Sequence, residues 1–180
     1  MPERGVRELL YLLDEAFAGR GIETSGESQA LMSNLATVDE RMWRALPPGG
    51  MRSVESMVLH VGTCKLMYAN HAFEDRRLDW EDRAVQPWPV GAAPMAEALD
   101  WLREAQRRFV EHVERITDED LDAPRMTNWG ELRPTRWIVA AMIGHDLYHA
   151  GEINHVRSLL SGEDRWKWVQ DVEASGGAST

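Results

Sequence analysis

Residues Ile143–Gly162 read IGHDLYHAGEINHVRSLLSG. With Ile138 and Met142 before them, the residues His145, His149, Val156 and Leu159 recur along one line of a helix, the repeat of an amphipathic face turned inward. His145 and His149 are four residues apart, so they project one turn apart from the same face and can grip one ion. Glu152 follows one turn later. A histidine pair at this spacing is more often a solvated face or a hydrogen-bonded core pair; the register shifts the balance. Polar groups turned into a core need partners, supplied either by a metal ion or by a hydrogen-bond network with trapped water. Pro134 suits the first turn of this helix and Gly162 its C-terminal cap.

The other long segments repeat at the same helical period, with no alternating stretch bounded by hairpin signals. The fold class is therefore all-α. Val6, Leu9, Leu10, Leu13 and Phe17 form a short N-terminal helix, closed by the connection GRGIETSGES. Leu31, Leu35, Val38, Met42 and Leu46 form a second stripe that Pro47-Pro48-Gly49-Gly50 ends. Ser53 is placed to cap the next helix, which carries Val54, Met57, Val58, Val61, Cys64 and Tyr68 inward and runs to the region of Phe73. QPWPVGAAP is a crossover. Met95, Leu99, Leu102, Phe109, Val113 and Ile116 mark another helix, and TDEDLDAPRMTNWGEL is a loop. One short helix and four long ones bury their stripes best as a four-helix bundle. The expected organisation is one domain over 1–174 with a disordered tail at 175–180.

The third histidine decides the chemistry. His60 stands beside the line Met57, Val61 and Cys64 in another helix and can meet the pair across the core. Three imidazoles with an open fourth position form the ligand set of a catalytic or substrate-binding zinc site, and they suit nickel too. Cys64, one turn after His60, reads first as a small core residue and second as a fourth ligand. Glu152 reads equally as a general base, an orienting carboxylate or a polar residue at the mouth. Asp146 points off the ligand face, toward the surface or an outer-shell contact. His71, His112 and His155 are expected to face solvent. Eight tryptophans are many for 180 residues; Trp43, Trp80, Trp88, Trp129 and Trp137 flank the site segments as packing, or as walls of an apolar cavity.

The run Ile143–Gly162, with its histidine pair, Gly-Glu and Ile-x-x-x-Arg, resembles the last-helix signature of DinB-like proteins. Asn34–Phe73, NLATVDERMWRALPPGGMRSVESMVLHVGTCKLMYANHAF, resembles the end of their first helix and the start of their second. The resemblance spans roughly Ser28 to Gly162. It implies a metal-binding four-helix bundle, here with the short extra N-terminal helix, that forms homodimers. It maps the metal ligands onto His60, His145 and His149. It also implies an enzyme acting with a low-molecular-weight thiol, of transferase or isomerase type. A metal-dependent hydrolase with Glu152 moving the proton, and a non-catalytic metal- or ligand-binding bundle, stand beside it.

Composition narrows the partners. A net charge of −10, with no basic run, repels phosphate backbones and anionic membranes. The longest strictly apolar stretch in a helix, Trp137 to Gly144, is far short of the roughly 20 residues a bilayer requires. The N-terminus lacks a signal-peptide pattern, and the single Cys64 makes no intrachain disulfide, so the expected compartment is the cytoplasm. A zincin would carry Glu where Asp146 stands, and a di-iron bundle needs two Glu-x-x-His motifs where only Glu152–His155 occurs. The expected partner is a small-molecule substrate or thiol.

Overall fold

In the computed structural model, residues 2–19 and 30–162 are described; the expected tail at 175–180 lies outside them. The chain runs α1 (Arg4–Phe17), α2 (Leu31–Leu35), α3 (Glu40–Trp43), α4 (Val54–Phe73) and α5 (Met95–Val113). A single 3₁₀ turn, Glu119–Asp122, then leads to β1 (Pro124–Met126), β2 (Leu132–Pro134) and α6 (Thr135–Ser161). It is an all-α bundle carrying one small hairpin.

The ends of α4 and α6 follow from local chemistry. The Ser53 hydroxyl accepts from the Ser56 N–H and starts α4. Pro134 precedes α6 directly, and Gly162 closes it at φ 72°, a backbone conformation that glycine adopts without strain. The second stripe departs from expectation. Instead of one long helix it forms α2 and α3, because the Asp39 carboxylate accepts from the Arg41 and Met42 N–H groups and opens a new helix. The four long helices are thus α1, α4, α5 and α6. The loop after α5 also differs, since Pro124–Met126 pairs antiparallel with Leu132–Pro134.

α4 packs most extensively on α5, and α6 lies against α1, α2 and α4. Three apolar clusters result, and two of them take residues from both α4 and α6. One joins Leu31, Leu35, Trp43, Val54, Met57 and Val61 to Leu102, Ile153 and Val156. The other joins Val6, Leu13, Ala69, Phe109 and Val113 to Ile138 and Met142. α4 and α6 contribute to both in opposite chain order, so they run antiparallel. Residues 60–65 of α4 and 145–149 of α6 fall between the clusters and form a polar layer. Leu159, expected on the inward line, is 46% exposed, because the buried row near the helix end passes through Ile153 and Val156.

No described helix is long and apolar enough to cross a membrane.

Candidate metal centre

The polar layer holds His60 from α4 with His145 and His149 from α6. His145 Nε2 lies 3.2 Å from His60 Nε2 and 3.2 Å from His149 Nε2. His149 gives its Nδ1–H to Glu152 at 2.8 Å, which in the neutral ring leaves Nε2 bare. Neutral rings are what this environment favours. Burial, reinforced by His149, His60, Lys65 and Arg52, pushes His145 down to about 3. Burial also lowers His60, with His149 and Arg52 adding to it and Glu152 opposing. It lowers His149 in the same way, against the pull of Glu152.

These protonation states decide what the cluster can satisfy by itself. With His149 bare at Nε2 and His145 neutral, only one of the two 3.2 Å contacts can be a linear hydrogen bond. The other shares that same proton at a poor angle, or sets two lone pairs or two N–H groups face to face in a buried site. His145 Nδ1 is likewise buried with no hydrogen-bond partner among the described residues. A cation resolves the conflict at Nε2. Nitrogens bound tetrahedrally to zinc at 2.0–2.1 Å stand about 3.3 Å apart, close to the spacing here.

Cys64 enters as well. Its Sγ lies 3.9 and 3.7 Å from the two ring nitrogens of His60. His60, Cys64 and His145 offer ligand atoms that all lie within 4.8 Å of one another, so this group can hold a metal ion. Burial pushes the Cys64 thiol up to about 11, against the pull of Lys65, so the unliganded side chain is a neutral thiol at physiological pH. Cys64 is a buried residue, as its first reading had it, and one that also borders the site.

Asp146 corrects its surface reading. It is wholly buried, and Lys65, equally buried, places Nζ 2.7 Å from its carboxylate, tying α4 to α6 across the polar layer. Burial pushes the Asp146 carboxyl up while Lys65 holds it back. Glu152 acts as an orienting carboxylate: besides His149 it binds Arg52 at 3.1 Å, at the start of α4. Arg52, Lys65 and Glu55 were not singled out in the sequence. The signal for Lys65 and Glu55 was a charged residue within an apolar helix; Arg52 left none.

His112 and His71 also depart from their solvent reading. His112 donates its Nε2–H to the Glu74 carboxylate at 2.7 Å and stacks on Phe73, and His71 contacts the Leu78 carbonyl at 3.0 Å. Arg108, His112 and Asn70 together hold the Glu74 carboxyl down to about 2 against burial. His155 is exposed, as expected. Of the tryptophans, Trp43 is core, donating Nε1–H to the Ala93 carbonyl. Trp129 stands edge-on to Tyr68 and Trp137 at the hairpin. Trp80 and Trp88 line a cavity beside His60. On the helices that carry the histidines, Met57, Val61 and Met142 are buried, whereas Tyr148 is 67% exposed with its ring edge-on to His149.

The family model that matches this chain describes the DinB superfamily and covers residues 24–153, a span that includes all three histidines. A search of the curated proteins finds no match.

Proposed function

The chain belongs to the DinB superfamily, and we propose that it is a metal-dependent enzyme holding one divalent transition ion, zinc or nickel, through His60, His145 and His149. The observation that supports this most is the pair of 3.2 Å Nε2 contacts around His145, which three neutral rings cannot satisfy with two separate hydrogen bonds. An ion held there supplies Lewis acidity toward a bound thiol or water. The residues do the rest. Glu152 fixes the tautomer of His149 and turns its Nε2 inward. Met57, Val61 and Met142 exclude water from one side, which strengthens charge interactions at the site.

Of the two substrates for that Lewis acid, we favour a low-molecular-weight thiol in a transferase or isomerase reaction. Glu152 is already engaged by His149 and Arg52, which makes it a poor general base for hydrolysis. The proposal includes a cytoplasmic homodimer, which light scattering tests independently. The chemistry is tested in a cobalt-substituted sample: added cysteine should produce a sulfur-to-metal charge-transfer band that is lost in His145→Ala. A spectrum indifferent to thiols, with metal-dependent turnover of an activated ester, would favour the hydrolase; neither response would favour a binding protein.

A further inference from the structure

Beside His60 lies a half-open cavity of about 180 Å³ between α4 and the chain that follows it. Ser56, Leu59, His60 and Thr63, spaced as neighbours on one helix face, make its floor. Trp80, Trp88 and Val90 of the following chain cover it. We infer that this cavity binds an uncharged, apolar group about the size of one six-membered ring, carried by the substrate that reacts at the histidine cluster. This deepens the proposed function and rests on it for the identity of the reacting centre.

Size comes first. An apolar cavity of about 150 Å³ accepts benzene, so the volume here matches one ring or a compact branched chain.

Polarity comes next. No Lys, Arg, Asp or Glu is among the residues lining the cavity. The hydroxyl protons are committed: Ser56 donates to the Ser53 carbonyl at 2.8 Å and Thr63 to the Val85 carbonyl at 2.7 Å. Gln86 donates from its amide to the Trp80 carbonyl at 2.6 Å, and His60 belongs to the histidine cluster. An anionic or cationic group would lose its hydration there and find no charged side chain among the lining residues to replace it.

The walls are also fixed in advance. Glu55, 1% exposed, accepts from the Gly91 and Ala93 N–H groups and pins the crossover onto α4. Trp88 is braced edge-on by Trp101 at 6.0 Å. Trp101 in turn occupies the space over Gly62, where a Cβ would lie 2.2 Å from its ring. A cavity built this way is largely formed before its ligand arrives.

The test is ¹⁹F NMR titration of the full chain with 4-fluorobenzyl alcohol and with 4-fluorobenzoate, in zinc-loaded and chelator-treated samples. The alcohol should bind both forms and, in the chelator-treated form, at least roughly tenfold more tightly than the benzoate. Ser56→Leu, which fills the floor, and Val90→Trp, which narrows the lip from an exposed position, should each weaken the alcohol by roughly tenfold. Equal or tighter binding of the benzoate to the chelator-treated form overturns the proposal. So does wild-type affinity in both variants when their circular dichroism is unchanged. A chain that binds the alcohol but no metal supports the cavity and overturns the metal reading. A chain that takes up zinc and ignores the alcohol overturns the cavity proposal alone.

Discussion

Lys65→Met removes the one cation that faces a wholly buried carboxylate. Both side chains are 0% exposed and stand 2.7 Å apart, so neither is relieved by water when the other is lost. Methionine preserves most of the volume of the lysine stem, which keeps a cavity term out of the comparison. Breaking a buried pair from one side costs about 3–5 kcal/mol. At about 2–4 °C per kcal/mol for a chain of this length, the midpoint of thermal unfolding should fall by about 6–20 °C. The double variant Lys65→Met/Asp146→Leu, which removes both charges, should recover most of that loss. The variant should also change its response to pH. Burial already raises the Asp146 carboxyl, and without Lys65 the main opposing interaction is gone, leaving that of His149. The folded single variant then binds more protons than the unfolded chain below neutrality, so its stability should rise as pH falls from 7 toward the ordinary carboxylate range. Urea unfolding followed by circular dichroism at pH 7 and pH 5 measures both effects. A single variant within about 1 kcal/mol of the wild type, or a double variant as weak as the single, would refute the reasoning.

Gly62→Ala should cost about 1–3 kcal/mol, because its Cβ meets the rigid Trp101 ring and that ring must shift; an unchanged urea midpoint would show that α4 and α5 yield freely. Glu152→Ala should leave the fold intact and weaken zinc binding by about 10–100-fold, since His149 loses the acceptor that fixes its tautomer; equal affinity in a competitive chelator titration would remove Glu152 from the site. Chelator-treated protein should be destabilised by acid. His145 titrates at about 3 when folded and at 6.5 when unperturbed. Stability is therefore complete above that value and declines as pH falls from 6.5 toward 3, where the unfolded chain binds the extra proton. A flat stability profile across that window, measured on wild type against His145→Gln, would contradict the buried neutral imidazole.

What the sequence disclosed follows from the range over which each signal acts. Ser53, Pro134 and Gly162 act on their own backbone, so the limits of α4 and α6 were legible in a single pass. The histidine line was legible too, because helical periodicity places His145 and His149 without reference to any other element. The break at Asp39 was not, since the apolar row from Leu31 to Leu46 runs straight through it and only the bonds to Arg41 and Met42 N–H reveal a new helix. Lys65 and Asp146 are 81 positions apart, and their pairing depends on how α4 crosses α6. The same holds for Glu55, whose acceptors serve the backbone at Gly91 and Ala93. The hairpin has three residues in each strand, too few to show alternation.

The central claim is that three imidazole nitrogens, and not the Cys64 sulfur, hold the ion. X-ray absorption at the zinc edge of protein loaded with one equivalent tests it most directly. The account predicts a first shell of nitrogen or oxygen at about 2.0–2.1 Å with no sulfur, and loss of tight binding in both His60→Ala and His149→Ala. A sulfur scatterer at about 2.3 Å together with full binding in His149→Ala would give the ion to His60, Cys64 and His145, and failure to take up zinc or nickel at all would contradict the metal centre outright.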